Sequence, residues 1–264
     1  MSSKPLSEYN GPDPYELFNS VVLTASDDIL KRSYTLLSTP SSPLDVITEF
    51  TTNSLSQLEQ TVEFAQLKQN AFKSPQDAAL IVIDMQWDFI CGTLRTIESP
   101  AKQDGANIIS NVNKMLKMSF KQIYISQDWH PANHCSFYNN RTTLQLSPNS
   151  LITKAEQAQM YDTLLIIGAN KVEREQKLWP THCIANTEGA RIHPKIELPK
   201  EYISIKKGTL PLVESYSAFG DPFGIEDTGL HAQLQKSGIV TLVLCGIATD
   251  FCVGENNAFS ITLW

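Results

Sequence analysis

Short, almost wholly apolar runs alternate along the later two thirds of this chain with stretches whose apolar positions recur at helical spacing. Residues 79–83, 122–126, 202–205 and 240–244 are rich in β-branched side chains and flanked by polar or turn residues. Runs of this length without a polar face predict strands buried on both sides of a parallel sheet. Residues 107–118 and 228–236 carry the helical period and lie between those runs, which predicts crossover helices. The alternation implies a three-layer α/β/α sandwich with a mainly parallel sheet and right-handed connections.

Residues 1–78 follow a different pattern. Ser42 and Pro43 have the form of a helix start, with serine as cap and proline at the first helical position. Leu44, Ile47, Leu55, Leu58 and Val62 then recur at roughly helical spacing, and residues 16–37 read as one or two further helices. No recognisable catalytic arrangement falls in this part. The expectation is an N-terminal helical extension over 1–78, packed on the α/β domain or mediating contacts, with 79–264 forming that domain.

Composition narrows the class. A chain of 264 residues with 42% hydrophobic and 19% charged residues can bury a sizeable core. A net charge of −7 and a pI near 5.3 exclude the basic face that nucleic acid or an anionic membrane surface would need. No apolar run approaches the roughly 20 residues that cross a bilayer, and the N-terminus lacks the apolar core of a signal peptide. Five cysteines at irregular spacing read as reduced thiols. The expected address is the cytoplasm, with the nucleus open, and the Asn140-Arg-Thr142 sequon should stay unmodified.

In open α/β sheets, ligands bind beyond the carboxyl ends of the strands, so the residues that follow each run matter most. They are Asp84, then Asp128 with His130 and His134, then Lys207, and finally the turn Cys245-Gly-Ile-Ala-Thr-Asp-Phe-Cys252. Singly these have ordinary explanations: a capping aspartate, a solvated lysine, a cysteine acting as a small hydrophobe. Together they place a carboxylate, an Asp/His cluster, a lysine and a thiol on one rim. A cysteine delivered to a new helix N-terminus gains thiolate character from the backbone N–H groups and the helix dipole. Asp128 and His130 point to the same side of an extended segment, and His182 can join them from a loop. Carboxylate with imidazole suits Zn²⁺, Mn²⁺ or Fe²⁺.

Six separated motifs occur in order: Asp84-Met-Gln-Trp-Asp-Phe89, Asp128-Trp-His-Pro-Ala-Asn-His134, Trp179-Pro-Thr-His-Cys183 running on to Ala190, Lys207-Gly208, Ser215-Tyr-Ser-Ala-Phe219 and the Cys252 turn. In these the chain resembles the nicotinamidase/pyrazinamidase branch of the isochorismatase-like cysteine hydrolases, over roughly residues 79–260. The resemblance implies a Rossmann-like fold and hydrolysis of nicotinamide to nicotinate and ammonia in NAD salvage. It implies a triad of Asp84 (proton carrier), Lys207 (charge stabiliser) and Cys252 (nucleophile), and a cis peptide before Ala248. The oxyanion hole would come from the N–H groups of Ala248 and Cys252. Asp128, His130 and His182 would bind one divalent metal, zinc by preference. His134 would serve as a fourth ligand or as a partner behind the ligands. Phe89 and Trp179 would enclose the pyridine ring, with Gln86 orienting in the pocket wall. Nicotinamide is the implied partner, and a homo-oligomer is open.

Three departures from the family pattern stand out. Trp87 replaces an asparagine in the first motif, adding bulk near the pocket mouth. Residues 141–176 form a long insertion, expected as a lid or surface contact. The family continues well past the nucleophile, so a strand and a helix are expected to be missing here, as in a fragment, a splice form or a mispredicted gene end. An inactive truncated partner of full-length subunits is therefore one alternative, and an amidohydrolase for a different amide is another.

Overall fold

The computed structural model describes residues 75–239 and 241–256, with the backbone of 22–24. Among the described residues seven strands form: β1 (Val22–Thr24), β2 (Ala78–Ile83), β3 (Gln122–Asp128), β4 (Thr163–Ile167), β5 (Glu173–Lys177), β6 (Ile203–Lys207) and β7 (Thr241–Gly246). Among the same residues three α-helices accompany them: α1 (Trp87–Ile90), α2 (Ile109–Leu116) and α3 (Leu230–Lys236). Five strands make the main sheet in the order β1-β7-β2-β3-β6. Pairing is parallel from β7 to β6, and β1 runs antiparallel on β7.

The central strand shows why these sequences choose this architecture. Every residue of β2 is buried, and successive side chains point to opposite faces. Ala78, Leu80 and Val82 pack with Ile109, Val112 and Leu116 of α2 on one face. Ala79, Ile81 and Ile83 pack with Leu230 and Leu234 of α3 on the other. The sheet therefore lies between helices, as the alternating pattern predicts. Among the described residues no helix is long and apolar enough to cross a membrane.

From β2 the order runs outward through β3 and β6 on one side and through β7 on the other. The crevice between the carboxyl ends of β2 and β7 is thus the point where the order reverses, the usual ligand position in such sheets. The two ends approach closely. Gly246 has φ +133°, and a Cβ there would fall 2.0 Å from the Ile83 carbonyl oxygen. The next residue, Ile247, donates its N–H to that same oxygen at 3.0 Å.

Several elements differ from expectation. β3 and β7 each run two residues further than the apolar runs, and the helix expected over 107–118 is a 3-10 turn (Gly105–Ile108) followed by α2. The insertion holds an antiparallel hairpin, β4–β5, with its own apolar core of Cys135, Leu144, Ala158, Leu164, Ile166 and Leu178. Within 16–37, read as helical, residues 22–24 form a strand instead. The remaining helices expected in 1–78, Val240, and the tail from 257 onward lie outside the described residues.

Candidate active site

Four chain segments converge beyond the sheet. Asp84 follows β2 with φ +50°, a left-handed conformation that aspartate tolerates better than most residues. Its carboxylate is wholly buried. Ser126 of β3 donates its hydroxyl to Oδ1 at 2.6 Å, and Lys207 Nζ lies 2.9 Å from Oδ2. Lys207, at the end of β6, is also wholly buried and reaches further. Its ammonium contacts an oxygen of Asp128, the Ser215 carbonyl at 3.3 Å and Cys252 Sγ at 3.4 Å. One cation thus joins two carboxylates and the thiol.

Burial sets the electrostatics. It raises the Asp84 carboxyl above its ordinary value, against the pull of Lys207. It pushes the Cys252 thiol well up, again against Lys207, so the resting sulfur is a thiol. For Asp128 burial is outweighed by Lys207 and His130, which hold the carboxyl well below its ordinary value. For Lys207 burial is likewise outweighed, here by Asp128 and Asp84, and the ammonium stays charged. The helix that was expected to start at Cys252 starts earlier. Val253 donates to the Ala248 carbonyl at 3.0 Å, which closes a π-turn over Thr249–Val253 with the cysteine inside it. Asn256, fully buried, fastens this turn: its amide donates to the Cys252 carbonyl at 2.7 Å and accepts from Ala218 N at 2.9 Å. The Ile247–Ala248 peptide is cis.

Asp128, His130 and His182 offer ligand atoms within 4.8 Å of one another, all buried. Two observations make this donor set fit a metal. His130 Nδ1 lies 2.9 Å from the Gly208 carbonyl and His182 Nδ1 lies 2.7 Å from the Pro180 carbonyl. A carbonyl only accepts, so Nδ1 carries a proton in both rings, and in the neutral imidazole the lone pair is then on Nε2. Those Nε2 atoms face Asp128 Oδ2 at 3.4 and 3.7 Å, and His130 Nε2 makes no hydrogen bond. Asp128, His130 and His182 thus form a possible metal site of one carboxylate and two imidazoles.

His134 stands apart from this set. Its Nε2 is 3.0 Å from the Val213 carbonyl and its Nδ1 is 2.7 Å from Ser136 Oγ, so neither nitrogen faces Asp128. Its ring stacks on His130 at 4.1 Å. Gln86 is also spent internally. Its side chain accepts from Asp128 N at 2.8 Å and donates to the carbonyls of Asp128 and Ala190. It therefore holds the Asp128 backbone in place. Phe89 lies against the His182 ring at 5.6 Å. Trp179 meets Phe251, next to Cys252, edge-on at 4.9 Å, and donates its indole N–H to Tyr216 Oη at 3.0 Å. Trp87 stacks on His193 at 5.7 Å.

Sequence reasoning passed over Ser126, Asp88, Tyr216, Phe251 and Asn256. Asp88 lies in the first motif, and its carboxylate accepts the Cys183 N–H at 2.7 Å, fixing the turn that carries His182. Its position two residues after Gln86 was a signal, but only the folded chain shows which backbone it reaches.

The isochorismatase domain model matches residues 78–262. A nicotinamidase of Acinetobacter baylyi is 35% identical over 181 residues, covering 69% of this chain and 73% of that protein. The solved Acinetobacter baumannii nicotinamidase/pyrazinamidase superposes with a TM-score of 0.59 at 33% identity, covering 72% of this chain and 80% of that one. The yeast nicotinamidase bound to the inhibitor nicotinaldehyde gives 0.56 at 26% identity, with 68% and 79% covered.

Proposed function

The chain belongs to the isochorismatase family, and we propose that within it the protein is a nicotinamide amidohydrolase, forming nicotinate and ammonia for pyridine-nucleotide salvage. The observation that carries this reading is the shared lysine. Lys207 touches Asp84 and Cys252 on one side and Asp128 of the Asp/His/His group on the other. A nucleophile and a group able to hold a ring nitrogen are thereby set side by side, which suits an amide carried on a pyridine. Relatives that cover most of the same residues are nicotinamidases, and this supports the choice of substrate.

In this scheme Asp84 takes the thiol proton as Cys252 Sγ bonds to the amide carbon. The N–H groups of Ala248 and Cys252 receive the oxyanion, where loss of one donor typically costs about a hundredfold or more in rate. Asp84 then passes its proton to the departing nitrogen, the C–N bond breaks, and ammonia leaves a thioester. Water adds to the thioester carbon while Asp84 removes its proton. The C–S bond breaks, releasing nicotinate and restoring the thiol. Raised by burial, the Asp84 carboxylate is a stronger base than one in water, the direction this proton transfer needs. Lys207 holds the carboxylate in reach of the sulfur and offsets the charge that builds there. Trp179 and Phe89 would flank the ring. A divalent metal on Asp128, His130 and His182, zinc by preference, would supply a Lewis acid for the pyridine nitrogen.

The test is ammonia release by purified, zinc-supplemented protein from nicotinamide and from benzamide, which has the same shape without the ring nitrogen. Release from nicotinamide that Cys252→Ala abolishes, with benzamide a poor substrate, is the expected result. Equal turnover of benzamide would sink the assigned substrate, and no turnover of either would sink the amidohydrolase reading.

A further inference from the structure

Glu226 lies outside every strand and helix, yet its carboxylate grips the chain between Lys207 and the histidine beside it. It is 8% exposed. Oε2 accepts the Gly208 N–H at 2.9 Å, and Oε1 accepts the Thr209 N–H at 2.7 Å and the Thr209 hydroxyl at 2.5 Å. Among the described residues no cation pairs with it. Asp221 holds it in turn, accepting the N–H groups of Phe223, Ile225 and Glu226.

The two peptide groups that Glu226 binds have their carbonyls on the opposite side. The Lys207 carbonyl accepts the Trp129 N–H at 2.9 Å, and the Gly208 carbonyl lies 2.9 Å from His130 Nδ1. Thr209 N–H and Gly208 C=O belong to one rigid plane, so the carboxylate sets where that carbonyl points. An anion on the N–H end also polarises the plane and strengthens its carbonyl as an acceptor. Gly208 makes the contact sterically feasible: at φ +62° its missing Cβ would lie 2.4 Å from His130 Cε1.

We propose that Glu226 is a positioning residue for the metal ligand His130, acting through the Gly208–Thr209 peptide to keep the proton on Nδ1 and the Nε2 lone pair free. This rests on the reading of Asp128, His130 and His182 as a metal site, and it assigns that site a support from a distant loop. Replacement by glutamine keeps the size but turns one acceptor into a donor facing an N–H, so the peptide plane must rotate. Loss of a partner behind a ligand typically weakens metal binding about 10–100-fold.

Zinc affinity of the full chain is measured by competition with a chromogenic chelator, alongside thermal unfolding of the metal-free protein. Glu226→Gln should bind zinc about 10–100-fold more weakly than wild type, and the cobalt-substituted absorption bands should shift. Thr209→Val, which removes only the hydroxyl bond, should bind zinc as wild type does. A Glu226→Gln protein that binds zinc as tightly as wild type but melts lower would show a loop clamp alone and overturn the proposal. A wild type that binds no zinc would instead remove the metal reading, and this inference with it. Nitrogen-15 NMR of metal-free wild type at alkaline pH needs no variant. A proton on His130 Nδ1 is expected, and one on Nε2 overturns the proposal even if Glu226→Gln does not fold.

Discussion

In the proposed mechanism Asp84 carries two demands at once, since it must be buried to act as a strong base and ionised to act as one at all. Burial raises its carboxyl above the ordinary 3.8, and the Lys207 ammonium at 2.9 Å limits the rise. Below its raised pKa the group is protonated and cannot take the proton of Cys252. The acid limb of kcat/KM should therefore fall at a pH above 3.8, under conditions where circular dichroism shows the fold intact. A limb at or below that value would remove Asp84 from the role of base. Asp84, Lys207 and Cys252 were legible in the sequence because each follows an apolar run, where a parallel sheet puts its chemistry. Ser126 and Gln86 were not. Ser126 reads as one more small residue inside a strand, and only the register of β3 beside β2 brings its hydroxyl to the Asp84 carboxylate. Gln86 has the motif position of a pocket residue, yet backbone groups of Asp128 and Ala190 take its whole amide.

At the level of elements, β2, β3 and β7 were legible because both faces are apolar, whereas β6, expected to be buried on both faces, ends the strand order with Ser204 and Lys206 exposed, and the hairpin was lost where that rule inverts. β5 is Glu-Arg-Glu-Gln-Lys, and its inward positions are Arg174 and Gln176. Gln176 accepts the Cys135 thiol at 3.2 Å, and Arg174 approaches the same sulfur. A strand that buries its polar residues gives no apolar alternation to detect. The hairpin core leads directly into the aromatic wall, since buried Leu178 precedes Trp179, whose backbone is tied to Ser136 and Tyr138. Ile166 is 1% exposed, and Ile166→Ala should cost about 2–5 kcal/mol. Because the proposed catalytic groups lie elsewhere, KM for nicotinamide, the proposed substrate, should rise more than kcat falls. Steady-state kinetics below the melting range would check this, and a loss confined to kcat would count against Trp179 as a wall of the pocket.

Over the whole molecule, Asp128 ends β3, His130 follows it and His182 lies in a separate loop, so an ion bound as proposed would tie together segments far apart in sequence. Binding to the folded state alone stabilises it by about 2.7 kcal/mol at a hundredfold excess over Kd. For a chain of this size that is a rise of roughly 5–10 °C in Tm. Zinc should produce this shift, EDTA should reverse it, and His182→Ala should remove it. An unchanged Tm in calorimetry at saturating zinc would argue that the cluster holds no ion. The same long reach has a consequence during synthesis. β2 is fully buried between β3 and β7, but β7 is among the last described segments to leave the ribosome. At about 5–20 residues per second, the most apolar strand of the sheet waits on the order of ten seconds with one edge unpaired. The nascent chain must be shielded through that interval, and the crevice between β2 and β7 opens to chemistry only once it has passed.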